Sequence, residues 1–214
     1  MSDDHKLFLL KPFGPAIAKV TIHQTLVDTL NDYIDETIKN TKKTKELNHG
    51  HRLAGNVQQE FKLDQEFVQK SGWLNFLSQG TAAWIKMATG NEIKKFELLH
   101  TWVVRQFKNE YNPLHVHDGH ISGVGYLKVP KNFGEYSQSG KKVNKNGELS
   151  LVHGSRQFLS NATYNVQPKV GEFYFFPNYL MHTVYPFHNT DEERRSISFN
   201  ANIDDGIYNV YGAK

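Results

Sequence analysis

The chain has 214 residues, no cysteine and a formal net charge of +3 at pH 7. This length fits one domain with a substantial core, since domains usually contain about 100–200 residues. The absence of cysteine excludes disulfides, thiolate metal sites and cysteine nucleophiles. The small net charge favours no nucleic-acid partner, and no apolar run reaches the ~20 residues of a membrane span. The acidic N-terminus is unlike a signal peptide, so we expect a soluble single-domain protein of the cytoplasm, without a membrane partner.

The first 90 residues are predicted to form a helical support region with edge strands. Residues 8–10 and 16–22 have the composition of short strands, and leucines and isoleucines at helical spacing predict a helix over residues 24–39. Thr21-x-x-Gln24 has the form of a capping box for this helix. The polar residues 40–56 are predicted to form a loop.

Residues 63–88 again show helical spacing, interrupted by Gly72 and Gly80. Because glycine destabilises a helix interior, we expect two or three short helices here. Trp73 and Trp84 are expected to anchor the core rather than to contact a substrate. A helical layer of this kind usually covers one face of a sheet.

Residues 91–205 are predicted to form a β-rich catalytic core. Short runs of β-branched and aromatic residues between glycine and proline turns predict seven strands, at residues 96–107, 122–129, 149–152, 163–166, 171–176, 182–186 and 195–203. Successive strands without intervening helices indicate an antiparallel sandwich or jelly roll. Residues 136–150 form a long polar insertion of the kind that often closes over a binding site.

Histidines mark the candidate metal site in NPLHVHDGHISGVGYLKVP, residues 112–130, which contains His115, His117 and His120. Residues two apart on a strand point to the same face, so His115 and His117 would lie side by side. His182, which follows an aromatic strand, is the candidate third ligand. Imidazole and carboxylate ligands suit iron, manganese or zinc. His49-Gly50-His51 repeats the spacing, but it lies in a polar loop where metal binding is not favoured.

Arginine and serine alternate near the C-terminus, in RRSISFN, residues 194–200. On a strand, Arg194 shares a polar face with Ser196, Ser198 and Asn200, whereas Arg195 shares the apolar face. An arginine with a serine two residues later can hold a carboxylate through two guanidinium hydrogen bonds and one hydroxyl. Strand register decides whether Arg194 or Arg195 has this role.

These blocks, in this order, resemble the iron(II)/2-oxoglutarate-dependent oxygenases of the double-stranded β-helix fold. Within that superfamily the chain is most similar to a small prolyl-hydroxylase-like branch found in phages and marine bacteria. The resemblance covers about residues 98–202, and its blocks here are Trp102, HVHDGHISGVGYL, FPNYLMHTVYP and RRSISFN. It implies an α+β, mainly β fold: a double-stranded β-helix (jelly roll) with N-terminal helices packed on one sheet.

The resemblance also implies the roles of individual residues. His115 and His182 match the first and distal iron ligands, and Arg194 with Ser196 matches the clamp for the distal carboxylate of 2-oxoglutarate. Tyr126 is a candidate hydrogen-bond donor to the same co-substrate, although it also fits a packed barrel tyrosine. Trp102, Tyr179 and the 136–150 loop are candidates for the substrate mouth by their position.

The chain departs from the family pattern at His117, where the pattern His-x-Asp/Glu has a carboxylate. Three arrangements stay open: a site of three histidines, a site in which a bulge brings Asp118 to the metal, and a site with His117 as first ligand. In the last arrangement, Gly119 occupies the carboxylate position and leaves room for an exogenous anion. A neutral ligand in place of a carboxylate makes the centre more positive by one unit.

The implied activity is that of an Fe(II)- and 2-oxoglutarate-dependent dioxygenase, which hydroxylates a C–H bond with release of succinate and carbon dioxide. The substrate, a small molecule or a protein side chain, is not identified by the sequence. One alternative is a cupin-like three-histidine metal enzyme without 2-oxoglutarate, although a clamp with nothing to bind would bury an unpaired charge. The other alternative is a non-catalytic jelly-roll binding module.

Overall fold

Two antiparallel sheets and a helical layer make up the computed structural model, which describes residues 14–50, 54–135, 140, 142–188 and 190–210. The strands are β1 (Ala18–Thr21), β2 (Gln59–Lys62), β3 (Phe96–Gln106), β4 (Asn112–His115), β5 (Ile121–Lys128), β6 (Leu149–Val152), β7 (Thr163–Val166), β8 (Glu172–Pro177), β9 (Met181–Val184) and β10 (Arg194–Ile203). The helices are α1 (Gln24–Lys39), α2 (Thr41–Glu46), α3 (Gln65–Lys70), α4 (Trp73–Thr89) and α5 (Asp205–Tyr208).

The larger sheet has six strands in the order β1-β8-β5-β10-β3-β2, and the smaller has four in the order β4-β9-β6-β7. All neighbouring strands pair in the antiparallel sense. The two sheets enclose a shared interior, which is the predicted jelly-roll arrangement. The long strand β10 is central to the larger sheet, since it is hydrogen-bonded to both β3 and β5.

The helices cover the outer face of the larger sheet, as predicted. Their buried side chains share one core cluster with the outward-facing residues of the sheet, among them Leu30, Trp73, Trp84, Phe175 and Phe199. Burial of one large apolar side chain contributes about 1.5–3 kcal/mol. Both tryptophans are therefore core anchors.

Helix α4 continues through Gly80, although the sequence predicted an interruption there. A Cβ atom at Gly80 would lie 2.6 Å from Cζ of Phe175. Glycine at this position thus lets the helix pack directly against strand β8. Close packing compensates for the helix propensity that glycine lacks.

A second core cluster lies between the two sheets. The side chains of strand β10 alternate between the two faces: Ile197 and Phe199 pack under the helices, whereas Arg194 and Ser196 line the interior. The buried members of the inner cluster are apolar or aromatic, namely Val124, Tyr126, Leu149, Leu151, Val166, Tyr174, Phe176, Leu180 and Val184.

Some local elements differ from the predictions. The predicted loop after α1 contains helix α2, whose first turn is capped by Asn40 accepting from the backbone N–H of Lys43. Helix α1 is capped by His23 rather than by Thr21, so the capping-box prediction is wrong. Strand β2 and helix α5 were not predicted. The predicted strand at residues 8–10 and most of residues 136–141 lie outside the described residues.

No helix among the described residues is long and apolar enough to cross a membrane.

Candidate metal and co-substrate site

Three histidine side chains meet between the sheets at one end of the interior. His115 ends strand β4 and is paired across the sheet with His182 of β9, whereas His117 lies two residues beyond the end of β4. One nitrogen from each imidazole lies within 4.8 Å of the others. In the described part of the chain, these three histidines are the one group of at least three potential metal ligands. The sequence predicted this triad, but it placed His117 on the strand itself.

Backbone carbonyls orient two of the imidazoles. Nδ1 of His115 lies 2.7 Å from the carbonyl oxygen of Pro113, and Nδ1 of His182 lies 2.9 Å from that of Leu180. A carbonyl only accepts, so each Nδ1 carries the proton and each Nε2 retains its lone pair. Such a second hydrogen bond is typical of metal-binding histidines.

The spacing of the nitrogens fits a shared ion. Nε2 of His117 and Nε2 of His182 are 3.1 Å apart. Two imidazoles on one metal ion have metal–nitrogen distances of about 2.0–2.1 Å, which places their nitrogens about 3 Å apart. The three rings are otherwise packed closely, with the centroids of His115 and His182 4.2 Å apart.

Burial keeps the imidazoles neutral. Desolvation lowers the pKa of His117 to about 2 and that of His182 to about 4, with smaller contributions from the neighbouring histidines. The pKa of His115 is also lowered, mainly by desolvation. Neutral imidazole is the form that binds metal ions, so this triad is preorganised for a cation.

The alternatives to His117 point elsewhere. Asp118 is exposed and lies outside the histidine group. A Cβ atom at Gly119 would lie 2.9 Å from Leu99 Cδ1 and 3.0 Å from the carbonyl oxygen of Ala201, so this glycine packs against strands and does not face open space at the cluster. His120 also lies apart, because its Nδ1 accepts from the backbone N–H of Ile203.

The other histidine pair of the sequence does not join the cluster. His49 is buried, with its ring centroid 5.7 Å from that of His100 and 6.0 Å from that of Trp102. It belongs to no group of three potential ligands among the described residues. His51 lies outside the described residues.

A cavity that is partly open to solvent extends from the histidines into the interior. Its lining is polar along β10, where Arg194, Ser196 and Ser198 face it. The remaining wall includes Trp102, Val104, Asn112, Leu149, Phe176 and Val184. Tyr179, predicted at the mouth, is half exposed and outside this lining.

Arg194 is the buried cation of this cavity, with 1% of its surface exposed. Its Nη1 donates to Oε1 of Gln106 at 2.6 Å, and no carboxylate of the described residues accepts from Nε or Nη2. The guanidinium carbon lies 5.1 Å from the ring centroid of Tyr126, and the buried hydroxyl of Tyr126 interacts with this guanidinium. No carboxylate among the described residues balances this buried guanidinium, which is costly unless an anion binds there.

Arg195 has a different environment on the opposite face of β10. It donates from Nε to Glu193 and from Nη2 to Asp35, both at 2.7 Å, and from Nη1 to Asn31 Oδ1 at 2.9 Å. Its charge is fully compensated by these partners. The register of β10 therefore directs Arg194, rather than Arg195, into the cavity.

Several residues of the cavity wall were not predicted. Gln106 and Asn112 flank it on β3 and β4; Gln106 lies four residues after Trp102 on the same face, and this period of two could have identified it. Glu60, on the unpredicted strand β2, is 3% exposed beside Asn112. Desolvation, assisted by Glu110, raises the pKa of Glu60 to about 7.

Residues 100–200 match the model of a protein family described as "Putative 2OG-Fe(II) oxygenase". A search of curated proteins finds no matching sequence. The matched segment contains the three histidines, Tyr126, Arg194 and Ser196. The matched segment, a little under half of the chain, is therefore similar to the 2-oxoglutarate/iron(II) oxygenases, as the sequence resemblance implied.

Solved structures show the same fold. A prolyl-4-hydroxylase from Pseudomonas putida superposes with a TM-score of 0.57 at 16% identity, over 86% of this chain and 91% of its own. HygX from Streptomyces hygroscopicus, solved with iron bound, gives 0.55 at 11% identity over 86% and 81%. The same protein solved with nickel and 2-oxoglutarate gives 0.53 at 12% identity over 86% and 81%. The fold and the family match of residues 100–200 together agree with an oxidoreductase of the iron(II)- and 2-oxoglutarate-dependent class. The narrower branch of phages and marine bacteria stays a prediction.

Proposed function

We propose that this protein is a dioxygenase that hydroxylates a C–H bond of a small molecule or a protein side chain. The observation that carries the proposal is one cavity with three neutral histidines at one end and an arginine without an anion in its wall. A metal ion and a dicarboxylate co-substrate together satisfy both features. Either ligand alone would leave one of them unexplained.

His115, His117 and His182 are the proposed iron(II) ligands. Three neutral imidazoles leave coordination positions free, as the facial arrangement of this enzyme class requires. The set carries no negative charge, so the centre is more positive by one unit than one with a carboxylate ligand. We expect this difference to strengthen the binding of an anionic co-substrate.

Arg194, Ser196 and Tyr126 are the proposed contacts of 2-oxoglutarate. Nε and Nη2 of Arg194 would donate to its distal carboxylate, and the Tyr126 hydroxyl provides a further donor. Arginine suits this role because its planar guanidinium pairs with a carboxylate through two hydrogen bonds. HygX, which has the same fold, has been solved with 2-oxoglutarate bound.

When bound, iron(II) would activate oxygen, which oxidises 2-oxoglutarate to succinate and carbon dioxide and hydroxylates the substrate. The chain's own residues hold these ligands apart from bulk water. Trp102 lies with its ring centroid 5.5 Å from that of His117, and Phe176 lies 5.0 Å from His182. These apolar rings exclude water from the metal end of the cavity, which strengthens electrostatic interactions inside it.

The remaining features of the proposal follow the sequence predictions. We propose a single domain in which residues 1–90 support a catalytic core formed by residues 91–205. A cytoplasmic location, and the lack of a nucleic-acid partner, stay predictions. Prolyl hydroxylation is the activity named for the Pseudomonas putida relative; at 16% identity it suggests, but does not define, the substrate class of this chain.

The test is anaerobic reconstitution with Fe(II) followed by addition of 2-oxoglutarate. We expect the visible metal-to-ligand charge-transfer band of the chelated co-substrate, and succinate release once oxygen is admitted. His182→Ala should lose metal binding, and Arg194→Ala should retain the metal but require far more 2-oxoglutarate. Arg156→Ala, which removes an exposed arginine, is the matched control.

Each negative result would point to one of the two alternative functions. A protein that binds Fe(II) but shows no band with 2-oxoglutarate would be a cupin-like three-histidine enzyme. A protein that binds neither ligand would be a binding module, and the proposal would be wrong.

A further inference from the structure

His117 is held differently from the other two proposed ligands. His115 and His182 lie on paired strands, and their Nδ1 atoms are fixed by backbone carbonyls. His117 lies in the segment between β4 and β5, where no strand ladder fixes its backbone. Its position therefore depends on contacts that this connecting segment makes.

Asn178, between β8 and β9, provides most of these contacts. Its carbonyl oxygen accepts from the backbone N–H of His117 at 3.0 Å, and its side-chain Nδ2 donates to the carbonyl oxygen of His117 at 3.3 Å. Its own N–H donates to the carbonyl oxygen of His120 at 3.2 Å. One asparagine thus holds the connecting segment at both ends.

The C-terminal helix α5 in turn holds Asn178. The hydroxyl of Tyr208 donates to Oδ1 of Asn178 at 3.1 Å. The Tyr208 ring stacks on His120, with centroids 3.9 Å apart and planes 9° from parallel. The Nδ1 of His120 accepts from the backbone N–H of Ile203, and its Nε2 lies 3.6 Å from a carboxylate oxygen of Asp205.

We propose that Tyr208 is a positioning residue, which sets the place of the His117 imidazole through Asn178. The inference rests on the proposed function, because it assigns His117 as a ligand. It adds helix α5, which lies after the family-matched segment, to the machinery of the site. Residues that orient metal ligands typically change metal affinity by 10–100-fold when they are removed.

The alternative is that Tyr208 only packs the end of the chain against the core. Packing alone would affect the stability of the fold and leave the metal-free position of His117 unchanged. Tyr208→Phe separates the two roles, because it keeps the ring on His120 and removes only the hydroxyl that binds Asn178. Tyr111→Phe, at another partly exposed tyrosine, is the matched control.

The first measurement uses the metal-free protein. Hydrogen exchange at the His117 amide, which donates to Asn178, should be about tenfold faster in Tyr208→Phe, while amides of β9 exchange as in wild type. The thermal midpoint of unfolding should stay unchanged. Equal exchange at His117 in both proteins, or faster exchange throughout the chain, would overturn the positioning role.

The second measurement titrates Co(II), with its visible bands as a report of ligand geometry. We expect Tyr208→Phe to bind Co(II) about tenfold more weakly with an altered spectrum, and Tyr111→Phe to match wild type. Identical titrations would refute the positioning role and leave the proposed function intact. A wild-type protein that binds no Co(II) would instead refute the metal site, while the exchange result would still show whether Tyr208 orders His117.

Discussion

Arg194 and Arg195 are consecutive on strand β10 and almost equally buried, yet their environments are opposite. Arg195, on the helix side, is surrounded by two carboxylates and an amide oxygen. Arg194, on the cavity side, has only neutral partners in the described part of the chain, namely Gln106 and Tyr126. Burial alone therefore does not indicate what a charged residue does. The decisive feature is whether the chain itself provides the opposite charge.

The difference has an energetic basis. A buried charge without a partner destabilises a fold by several kcal/mol, whereas a well-satisfied buried ion pair is close to neutral relative to apolar residues. Arg195 with Glu193 and Asp35 connects β10 to helix α1, and Arg105 adds a second cation to Glu193 at 2.7 Å. Arg194 is a destabilising feature of the unliganded protein. Such a feature is expected where a ligand supplies the missing charge.

The largest effect is expected for Arg195→Met. This change leaves Glu193 buried with one of its two arginines missing, and removal of one member of a buried ion pair costs about 3–5 kcal/mol. Urea denaturation should show a loss of that order in the free energy of unfolding. The affinity for 2-oxoglutarate should be unchanged in the folded protein, and a large loss of affinity would show that Arg195 acts in the site.

Arg194→Met should have the reverse pattern. Charge-assisted hydrogen bonds contribute about 1.5–3 kcal/mol each, so the dissociation constant for 2-oxoglutarate should rise by about 100-fold. The free energy of unfolding without ligands should stay the same or increase, because an unpaired charge is removed. Isothermal titration and urea denaturation of the same preparation measure both quantities. A marked loss of stability with unchanged affinity would contradict the assignment.

Acid should weaken the helix-side network when Glu193 is protonated. Hydrogen bonds and charges from Arg105 and Arg195 outweigh desolvation and lower the pKa of Glu193 to about 2, against about 4.3 for glutamate in an unfolded chain. This carboxylate therefore stabilises the fold above pH 4.3, and the contribution, about 2–3 kcal/mol, disappears as the pH falls toward 2. Glu193→Gln should be less stable at pH 7 and show a shallower acid dependence.

Tyr126→Phe should give the smallest effect. Loss of one neutral hydrogen bond should weaken 2-oxoglutarate binding by about fivefold, since such a bond contributes about 1 kcal/mol. The ring would remain against the Arg194 guanidinium, so stability should change little. Titration of 2-oxoglutarate into the double variant Tyr126→Phe/Arg194→Met would show whether the two residues act on the same carboxylate. If they do, the loss of affinity will differ from the sum of the losses in the two single variants.

Strand β10 also shows how far the sequence predicts this molecule. Its alternation predicted both faces, and with them the separation of Arg194 from Arg195. The alternation of side chains along a strand is a local property, so it can be predicted without knowledge of the rest of the fold. The triad was predicted from spacing and resemblance together.

Two of the features that the sequence did not predict depend on distant contacts. Strand β2 has the polar sequence QEFK and forms because it pairs with the edge of β3. Helix α2 depends on the Asn40 cap in a segment that looks like a loop. His117 lies beyond the end of its strand, and its backbone is held by the hydrogen bonds of Asn178. The partners of β2 and His117 are distant in sequence, whereas the Asn40 cap is local and was overlooked.

The neutral amide of Gln106 leaves the charge of Arg194 in the cavity wall uncompensated. Its Oε1 accepts from Arg194, while its Nε2 donates to the carbonyl oxygens of Glu110 and Tyr185, so the side chain is locked in one orientation. A glutamate of the same shape would form a permanent ion pair with Arg194. The guanidinium would then not be available to an anionic ligand. The amide in place of a carboxylate at position 106 thus keeps the site able to bind an anion.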